Sequence, residues 1–355
     1  MRNARSMSSP EIHLGPHERL TLIINPNKGP IMKPFLALVF PLVVLLCGPV
    51  SILFAQDTKP TSQQDVAVKE IRKLGGHVKL NKSGEVNLVI LNDTKITDAG
   101  LEHLKGLTRL YHLSLNNTQI TDAGLEHLKG MASLNFLNLF DTQITDAGLE
   151  HLKGLPNLTH LSFSGPKITD AGMEHLKGLA SLTHLAFNGP KITNAGLKHL
   201  KGLTRLNGLG IHCTQITDMG LEHLKGLTSL NALSLIGTQI TDAGLEHLKG
   251  FTSLNGLGLQ DSQITGAGLE HLKGLTSLNR LFLKNSKITD TGLMHLKGLT
   301  SLTALYLNAT KITDDGLVHL KVLTSLITLD IRNTKITDTG LSELKAALPK
   351  CRVLK

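Results

Sequence analysis

Two patterns of apolar and polar positions alternate along most of the chain. The first, L-x-x-L-x-L-x-x-T at residues 110–118, has apolar side chains at alternate central positions, which predicts a short strand. The second, ITDAGLEHLKG at residues 120–130, places Leu125 and Leu128 three residues apart, as on one face of a helical turn. Counted from its isoleucine, the second pattern recurs every 24 residues from Ile96 to Ile336 without insertion. The chain is therefore predicted to be a tandem array of strand-and-return units.

One unit buries too little apolar surface to offset the entropy of ordering its backbone. Stacking against neighbouring units is expected to close the core. The apolar positions recur in nearly every copy, and in the second copy they are Ile120, Leu125, Leu128, Met131, Leu134, Leu137 and Leu139.

These residues resemble the leucine-rich repeat family, whose L-x-x-L-x-L-x-x-N/C-x-L segment forms a parallel strand followed by a helical return. The resemblance covers residues 86–354 and is to the bacterial type with an I-T-D-x-G-L return. It implies an α/β fold, a curved leucine-rich repeat solenoid with a parallel β-sheet on its concave face and short helices on its convex face. The ninth position departs from Asn or Cys: Thr118, Thr142, Pro166, Pro190, Thr214, Thr238, Ser262, Ser286, Thr310 and Thr334. F-box leucine-rich repeat proteins are also similar, but no F-box-like helical segment precedes the array, so an F-box-type adaptor is only a remote alternative.

The polar residues of the return are predicted to cover the convex surface. Asp122 is placed to N-cap the return helix, Lys129 lies in its last turn, and Gly130 suits a left-handed C-cap. His127 falls opposite the leucines and is expected to face solvent. Histidines recur at this position from His103 to His319. A metal would need nitrogens about 2 Å from one ion, and no second ligand type converges on the row, so no metal site is predicted.

Several segments precede and follow the array. Residues 35–55 contain no charged residue and could span a bilayer, and Met32-Lys33 in front of them gives the pattern of a secretory signal. Leu53 stands where a cleavable signal has a small residue, so a retained membrane anchor is the alternative. The predicted divisions are 1–31, a mis-called start or extension; 32–55, a signal or anchor; 56–64, a linker; 65–91, an N-terminal cap; 92–340, the array; and 341–355, a C-terminal cap. An exported protein is expected, periplasmic, at the cell surface or secreted.

Charge and motifs argue against several function classes. The net charge is +9, but a return typically carries a Glu and a Lys, and no nucleic-acid-binding motif appears, so no nucleic-acid partner is predicted. Cys213 and Cys351 lie several repeats apart, too far for a disulfide in a stacked array. No G-x-S-x-G, HExxH, Walker or Cys-x-x-Cys sequence is present. The chain is predicted to be non-enzymatic and to need no cofactor.

Variation concentrates on the concave sheet, so the partner-binding residues are expected there. Its middle is a floor of small side chains, and a patch enriched in aromatic residues and arginine, the types common at binding hot spots, lies on the C-terminal side. This C-terminal patch comprises Arg280, Phe282, Lys284, Tyr306, Asn308, Asp330 and Arg332. A second patch on the N-terminal side comprises His112, Phe136, Phe140, His160 and His184.

The leading hypothesis is an exported binding module that recognises a protein, peptide or glycan on this face. The alternative is a spacer or envelope scaffold without a selective ligand, which near-identical repeats also suit. A metal- or pH-responsive convex face is a third reading. The ligand, the cleavage of the leader, the starting methionine, the oligomeric state and the biological process stay open at this stage.

Overall fold

A computed structural model describes residues 64–355. The predicted start, leader and linker, residues 1–64, lie outside the described residues except for Gln64. Thirteen strands form one sheet in sequence order. Only the first pair is antiparallel, and every later neighbour is parallel. Parallel neighbours require a crossover connection, which each return segment supplies. The predicted fold class is therefore confirmed.

The strands have these bounds: β1 His77–Leu80, β2 Val86–Ile90, β3 His112–Ser114, β4 Phe136–Leu139, β5 His160–Ser164, β6 His184–Asn188, β7 Gly208–Ile211, β8 Ala232–Ser234, β9 Gly256–Gly258, β10 Arg280–Phe282, β11 Ala304–Tyr306, β12 Thr328–Asp330 and β13 Arg352–Leu354. The α-helices are α1 Asp65–Lys73, α2 Asp98–Leu101, α3 Asp122–Glu126, α4 Asp146–His151, α5 Asp170–Glu174, α6 Asn194–Leu197, α7 Asp218–Glu222, α8 Asp290–Leu293, α9 Asp314–Leu320 and α10 Asp338–Ala347. Segments of 3-10 helix complete or replace the returns at Glu102–Gly106, Leu152–Gly154, His175–Gly178, Lys198–Leu200, Ala243–Leu248, Ala267–Leu272 and Met294–Leu296.

The core lies between the sheet and the returns and consists almost entirely of leucine and isoleucine. Each repeat contributes the same buried positions, for example Ile144, Leu149, Leu152, Leu158 and Leu161, all at most 1% exposed. These positions form one continuous cluster from α1 to the last strand. Every unit thus packs on its neighbours, as expected for repeats that cannot bury their apolar side alone.

At the two ends, other elements cover the array. Helix α1 packs Val68 and Ile71 into the core, and Gln64 Oε1 accepts a hydrogen bond from the Val86 amide. Gln64 precedes this helix, and Asp65 is its first residue. At the other end, α10 leads into β13, which pairs with β12. In the described range 64–355, no helix has both the length and the apolar character to span a membrane.

The repeated aspartate has a different role from the predicted N-cap. Thr121, in extended conformation, occupies the N-cap position, and Asp122 is the first helical residue. Asp122 Oδ1 accepts a hydrogen bond from Thr145 N at 2.7 Å, and its Oδ2 accepts one from Thr145 Oγ1 at 2.6 Å in the next repeat. A Cβ on Gly148 would lie 2.3 Å from the same carboxylate. The I-T-D-x-G sequence is therefore an inter-repeat clamp.

The unusual ninth position is satisfied within its own repeat. Thr118 Oγ1 donates to the Leu115 carbonyl at 2.7 Å, and Thr142, Thr238 and Ser262 do the same three residues back in their turns. A hydroxyl at this position thus closes the turn with a hydrogen bond inside its own repeat. The residue before it has a left-handed backbone in several repeats, for example Asn117 at φ 52° and Gly237 at φ 66°.

The convex histidines are less exposed than predicted. His103 is exposed, but the nine later members of the row, including His127, are half-buried. The Nδ1 atoms of His175, His199, His295 and His319 are buried without a hydrogen-bond partner among the described residues. Their imidazoles lie partly covered because consecutive returns stack closely. The neighbouring Glu and Lys side chains form exposed pairs, such as Glu174 with Lys177 at 3.0 Å.

Candidate functional site on the sheet face

The face of the sheet that points away from the core, called the sheet face here, is the predicted concave surface. Alternate strand residues point to opposite faces, so the leucine in the middle of each strand enters the core while its two neighbours enter the sheet face. In β10, Leu281 belongs to the main core and Arg280 and Phe282 lie on the other side. The strands are in register, so equivalent residues form straight rows across the sheet.

A stack of four rings occupies the N-terminal part of the sheet face. His112, Phe136, His160 and His184 are consecutive in one row. The ring centroids are 4.0 Å apart for the first pair, 5.6 Å for the second and 4.3 Å for the third, with interplanar angles of 8°, 28° and 8°. The structure therefore brings four of the five predicted residues of this patch together. Stacked faces contact one another, so the ring edges form the outer surface.

The histidines of the stack are held neutral. Burial, together with the smaller effect of charge repulsion from His160, lowers the pKa of His112 and of His184 to about 4. Burial also lowers the pKa of His160. Neutral rings can stack without charge repulsion, so the arrangement is stable near pH 7.

Threonine hydroxyls lie beside two imidazoles of the stack. Thr183 Oγ1 donates to the Thr159 carbonyl at 3.2 Å and lies 3.0 Å from His184 Nδ1. Thr159 Oγ1 lies 2.8 Å from His160 Nδ1. These contacts help to fix the orientation of both rings.

Phe140 is not part of the stack. It follows β4, four residues beyond Phe136, and is only 5% exposed. Its backbone N–H donates to Asn116 Oδ1 at 3.2 Å. Its burial leaves little of the ring for a partner.

Small side chains form the middle of the sheet face, as predicted. The two rows there contain Gly208, Ala232 and Gly256 in one, and Gly210, Ser234 and Gly258 in the other. This floor separates the ring stack on β6 from the larger side chains that begin on β10.

The C-terminal patch centres on a stacked pair. The Phe282 and Tyr306 rings have centroids 4.5 Å apart and planes 8° apart. Phe282 clusters with Ala232 and Ile236, which belong to the repeat two units away, and Tyr306 packs against this cluster. Phe282 can reach that far because the intervening strand β9 contributes only glycines to these rows. Phe282 is therefore 5% exposed, while Tyr306 is half-buried.

The charged residues of the patch differ in their environment. Asp330 is 1% exposed and accepts two bonds from Arg332, Nε to Oδ1 at 2.9 Å and Nη2 to Oδ2 at 2.6 Å. Arg280 is half-buried near Tyr306, and burial raises the pKa of that phenol while Arg280 opposes the rise. Lys284 and Asn308 follow their strands and are half-buried. The patch thus presents Tyr306, Arg280 and Arg332 outward, with Asp330 as an internal support.

Three stretches, residues 130–153, 154–177 and 322–345, match the leucine-rich repeat family. They share the register and the strand-and-return geometry of the rest of the array. The array consists of leucine-rich repeats. No curated protein sequence matches the chain significantly.

Solved structures show the same repeat fold. An internalin (inlF) from Listeria monocytogenes is similar with a TM-score of 0.55 and 23% identity over 86% of this chain and 99% of that one. The leucine-rich repeat ectodomain of the Arabidopsis receptor kinase HAESA, solved in complex with an extended IDA peptide hormone, has a TM-score of 0.54 and 18% identity. That match covers 78% of this chain but only half of the HAESA chain. These likenesses establish the leucine-rich repeat fold.

Three polar residues of the leucine-rich repeat sheet were not among the predicted site residues. His212 Nε2, Ser234 Oγ and Gln260 Oε1 are buried on or beside the small-residue floor without a hydrogen-bond partner in the described part of the chain. Burial lowers the pKa of His212 to about 4. His212 and Gln260 lie 72 and 24 residues before Lys284, so they occupy the same position of earlier repeats. Comparing this position across all repeats would have identified them. Within residues 64–355, no three potential ligands are grouped to hold a metal ion.

The two cysteines of the leucine-rich repeat array are free thiols, as predicted. Cys213 is fully buried in the core, and burial raises the pKa of its thiol to about 12. Cys351 is also buried, beside the last strand. A thiol with such a high pKa is not a nucleophile near pH 7.

Proposed function

We propose that the chain is a non-enzymatic binding module that recognises a protein, peptide or glycan on the sheet face, with Tyr306 and Arg280 as anchors. The observation that carries the proposal is the Phe282–Tyr306 stack beside a small-residue floor. Phe282 is buried against Ala232 and Ile236 and stacks on the Tyr306 ring, which restricts the orientations open to Tyr306. A rigid aromatic residue next to an arginine is the combination enriched at binding hot spots.

The shape of the sheet face also supports recognition. The floor leaves room between two walls of larger residues, the ring stack on β3–β6 and the patch on β10–β12. A partner that fills this space would contact rigid strands rather than loops, so little entropy would be lost on binding. We assign the protein to the exported class on the proposed leader at residues 35–55. Retention as a membrane anchor is the alternative.

The test is partner capture from the native envelope fraction with the full-length chain as bait. One variant carries Arg280→Glu and Tyr306→Ala. Arg332 is left in place, because its loss would leave the buried Asp330 carboxylate without its partner. The matched control carries Lys201→Glu and Lys297→Glu on the return face, which is the side of the array formed by the helical returns. Both lysines are exposed and have no ion pair in the described range.

We expect a partner that the parent and the control both retain and the sheet-face variant loses, with circular dichroism showing that all three are folded. Identical capture by all three would place recognition elsewhere. Capture of no partner by any bait would favour the spacer or scaffold function, which predicts that loss of one 24-residue unit leaves cellular behaviour unchanged.

A further inference from the structure

Positive charge on the strand and turn segments is concentrated in the last three repeats. Segments 280–287, 304–311 and 328–335 contain Arg280, Lys284, Lys287, Lys311, Arg332 and Lys335, and one acid, Asp330. The three preceding segments, 208–215, 232–239 and 256–263, contain neither Lys nor Arg. The array therefore has a basic end on this side.

Three of these lysines form a ladder. Lys287 N donates to the Ile264 carbonyl at 3.0 Å, and Lys311 and Lys335 make the same bond to Ile288 and Ile312 at 3.1 Å. The shared bond places the three lysines at equivalent points of consecutive repeats, about 4.8 Å apart as neighbouring strands are. All three side chains are exposed. In the earlier repeats this position is lysine at Lys95, Lys167 and Lys191 and glutamine at Gln119, Gln143, Gln215, Gln239 and Gln263, so a run of three consecutive lysines occurs only at the C-terminal end of the array.

The ladder lysines lack the ion pairs that most lysines of the helical returns form. Lys225, Lys249 and Lys273 each pair with a glutamate three residues earlier. Lys287, Lys311 and Lys335 form no ion pair with any residue in the described range. Like charges at strand spacing repel one another, and an anionic ligand along the ladder would remove this repulsion.

Nearby aspartates are already engaged. Asp290 and Asp314, three residues beyond Lys287 and Lys311, each accept two hydrogen bonds from a threonine of the next repeat. The turn residues beside the ladder are Asn285, Ala309 and Asn333, none of which is acidic. In earlier repeats an aspartate can occupy that turn position, as Asp93 does beside Lys95.

We propose that the ladder of Lys287, Lys311 and Lys335 binds a linear acidic polysaccharide that lies across the strands. A polymer with one acidic group per sugar offers evenly spaced charges to evenly spaced lysines. Lysine is a point charge without a required bonding plane, so carboxylate or sulfate groups on a flexible chain suit it. Nucleic acid fits less well, because each ladder lysine is flanked in sequence by Ser or Thr and by Ile, and none of these side chains can stack on a base. The inference rests on the proposed function in treating the array as a binding module, but it uses different residues.

The test measures binding of the full-length chain to polygalacturonate, to its fully methyl-esterified form, and to single-stranded DNA of equal charge number, by calorimetry in about 50 mM salt. The ladder variant carries Lys287→Gln, Lys311→Gln and Lys335→Gln, substitutions that the array itself contains at this position. The control variant carries Lys225→Gln, Lys249→Gln and Lys273→Gln, which removes the same charge from the return face.

We expect binding to the acid form but not to the ester, and a loss of at least about tenfold in affinity for the ladder variant against less than about twofold for the control. Absence of binding to the acid form, equal losses in the two variants, or tighter binding to DNA would overturn the proposal. Failure of the proposed sheet-face recognition can be distinguished from failure of the ladder proposal, because the Arg280→Glu/Tyr306→Ala variant keeps all three ladder lysines.

Discussion

The aspartate clamp gives a stability prediction whose size follows from the structure. Asp146 Oδ1 accepts from Thr169 N at 2.7 Å, and Oδ2 accepts from Thr169 Oγ1 at 2.6 Å. Asp146→Ala removes both bonds and leaves the Thr169 amide to water. Hydrogen bonds to a charged group contribute about 1.5–3 kcal/mol each, and Asp146 is half-buried, so we expect a total loss of about 2–3 kcal/mol in the free energy of unfolding.

Asp146→Asn should lower the free energy of unfolding by less than about 1 kcal/mol, because an asparagine already occupies the equivalent position in another repeat. Asn194 accepts from Thr217 N at 3.0 Å and donates through Nδ2 to Thr217 Oγ1 at 2.8 Å. The control is Glu150→Ala, which removes an exposed pair with Lys153 worth at most about 1 kcal/mol.

The assay is urea unfolding at 25 °C followed by far-ultraviolet circular dichroism, with the slope of the transition compared between variants. A second substitution tests the packing part of the clamp. Gly172→Ala would place a Cβ 2.3 Å from Asp146 Oδ1, so it should destabilise the parent but cost less in the Asp146→Ala background. If Asp146→Ala costs no more than Glu150→Ala, or if the glycine effect is the same in both backgrounds, the clamp does not stabilise the array.

Three further predictions follow from individual contacts. Gly266 stands where most repeats have the clamp aspartate, so Thr289 has no carboxylate to bond, whereas Thr313 N donates to Asp290. Hydrogen exchange should therefore be faster at the Thr289 amide than at the Thr313 amide. His212 binds a proton at higher pH in the unfolded chain than in the folded one, so the free energy of unfolding should fall as pH drops from 6.5 towards 4. His212→Asn should remove up to about 3 kcal/mol of that fall. An unchanged pH profile of unfolding would contradict this. Arg332→Gln should destabilise by about 1–3 kcal/mol in urea, because the 1%-exposed Asp330 loses its bidentate partner, whereas Lys335→Gln should change stability little.

The repeat period and the apolar positions predicted an array of strand-and-return units, and the resemblance to leucine-rich repeats added the parallel sheet. Leu113, Leu137 and Leu161 enter the core because a buried position in one repeat is buried in all, and a period of 24 residues without insertion leaves the register no freedom. The sequence also predicted that His112, Phe136, His160 and His184 belong to one patch, since they share one row, but it did not predict that their rings stack.

What the sequence missed depends on contacts between repeats. Asp122 precedes a return helix and suits a cap, but its carboxylate reaches the next repeat, where Gly148 leaves space for it. Phe282 was expected on the surface and is instead buried against Ile236, because the glycines between them let the ring lie flat. Asp330 is buried by a bidentate pairing with an arginine only two residues away. Such details depend on how side chains of different repeats fit together, which a single repeat does not specify.

Paired capture tests whether the sheet face recognises a partner. Full-length parent, the Arg280→Glu/Tyr306→Ala variant and the Lys201→Glu/Lys297→Glu control are incubated with the same native envelope fraction. We expect a partner that the parent and the control bind and the sheet-face variant does not, with the three unfolding midpoints alike. A partner bound equally by all three would contradict it.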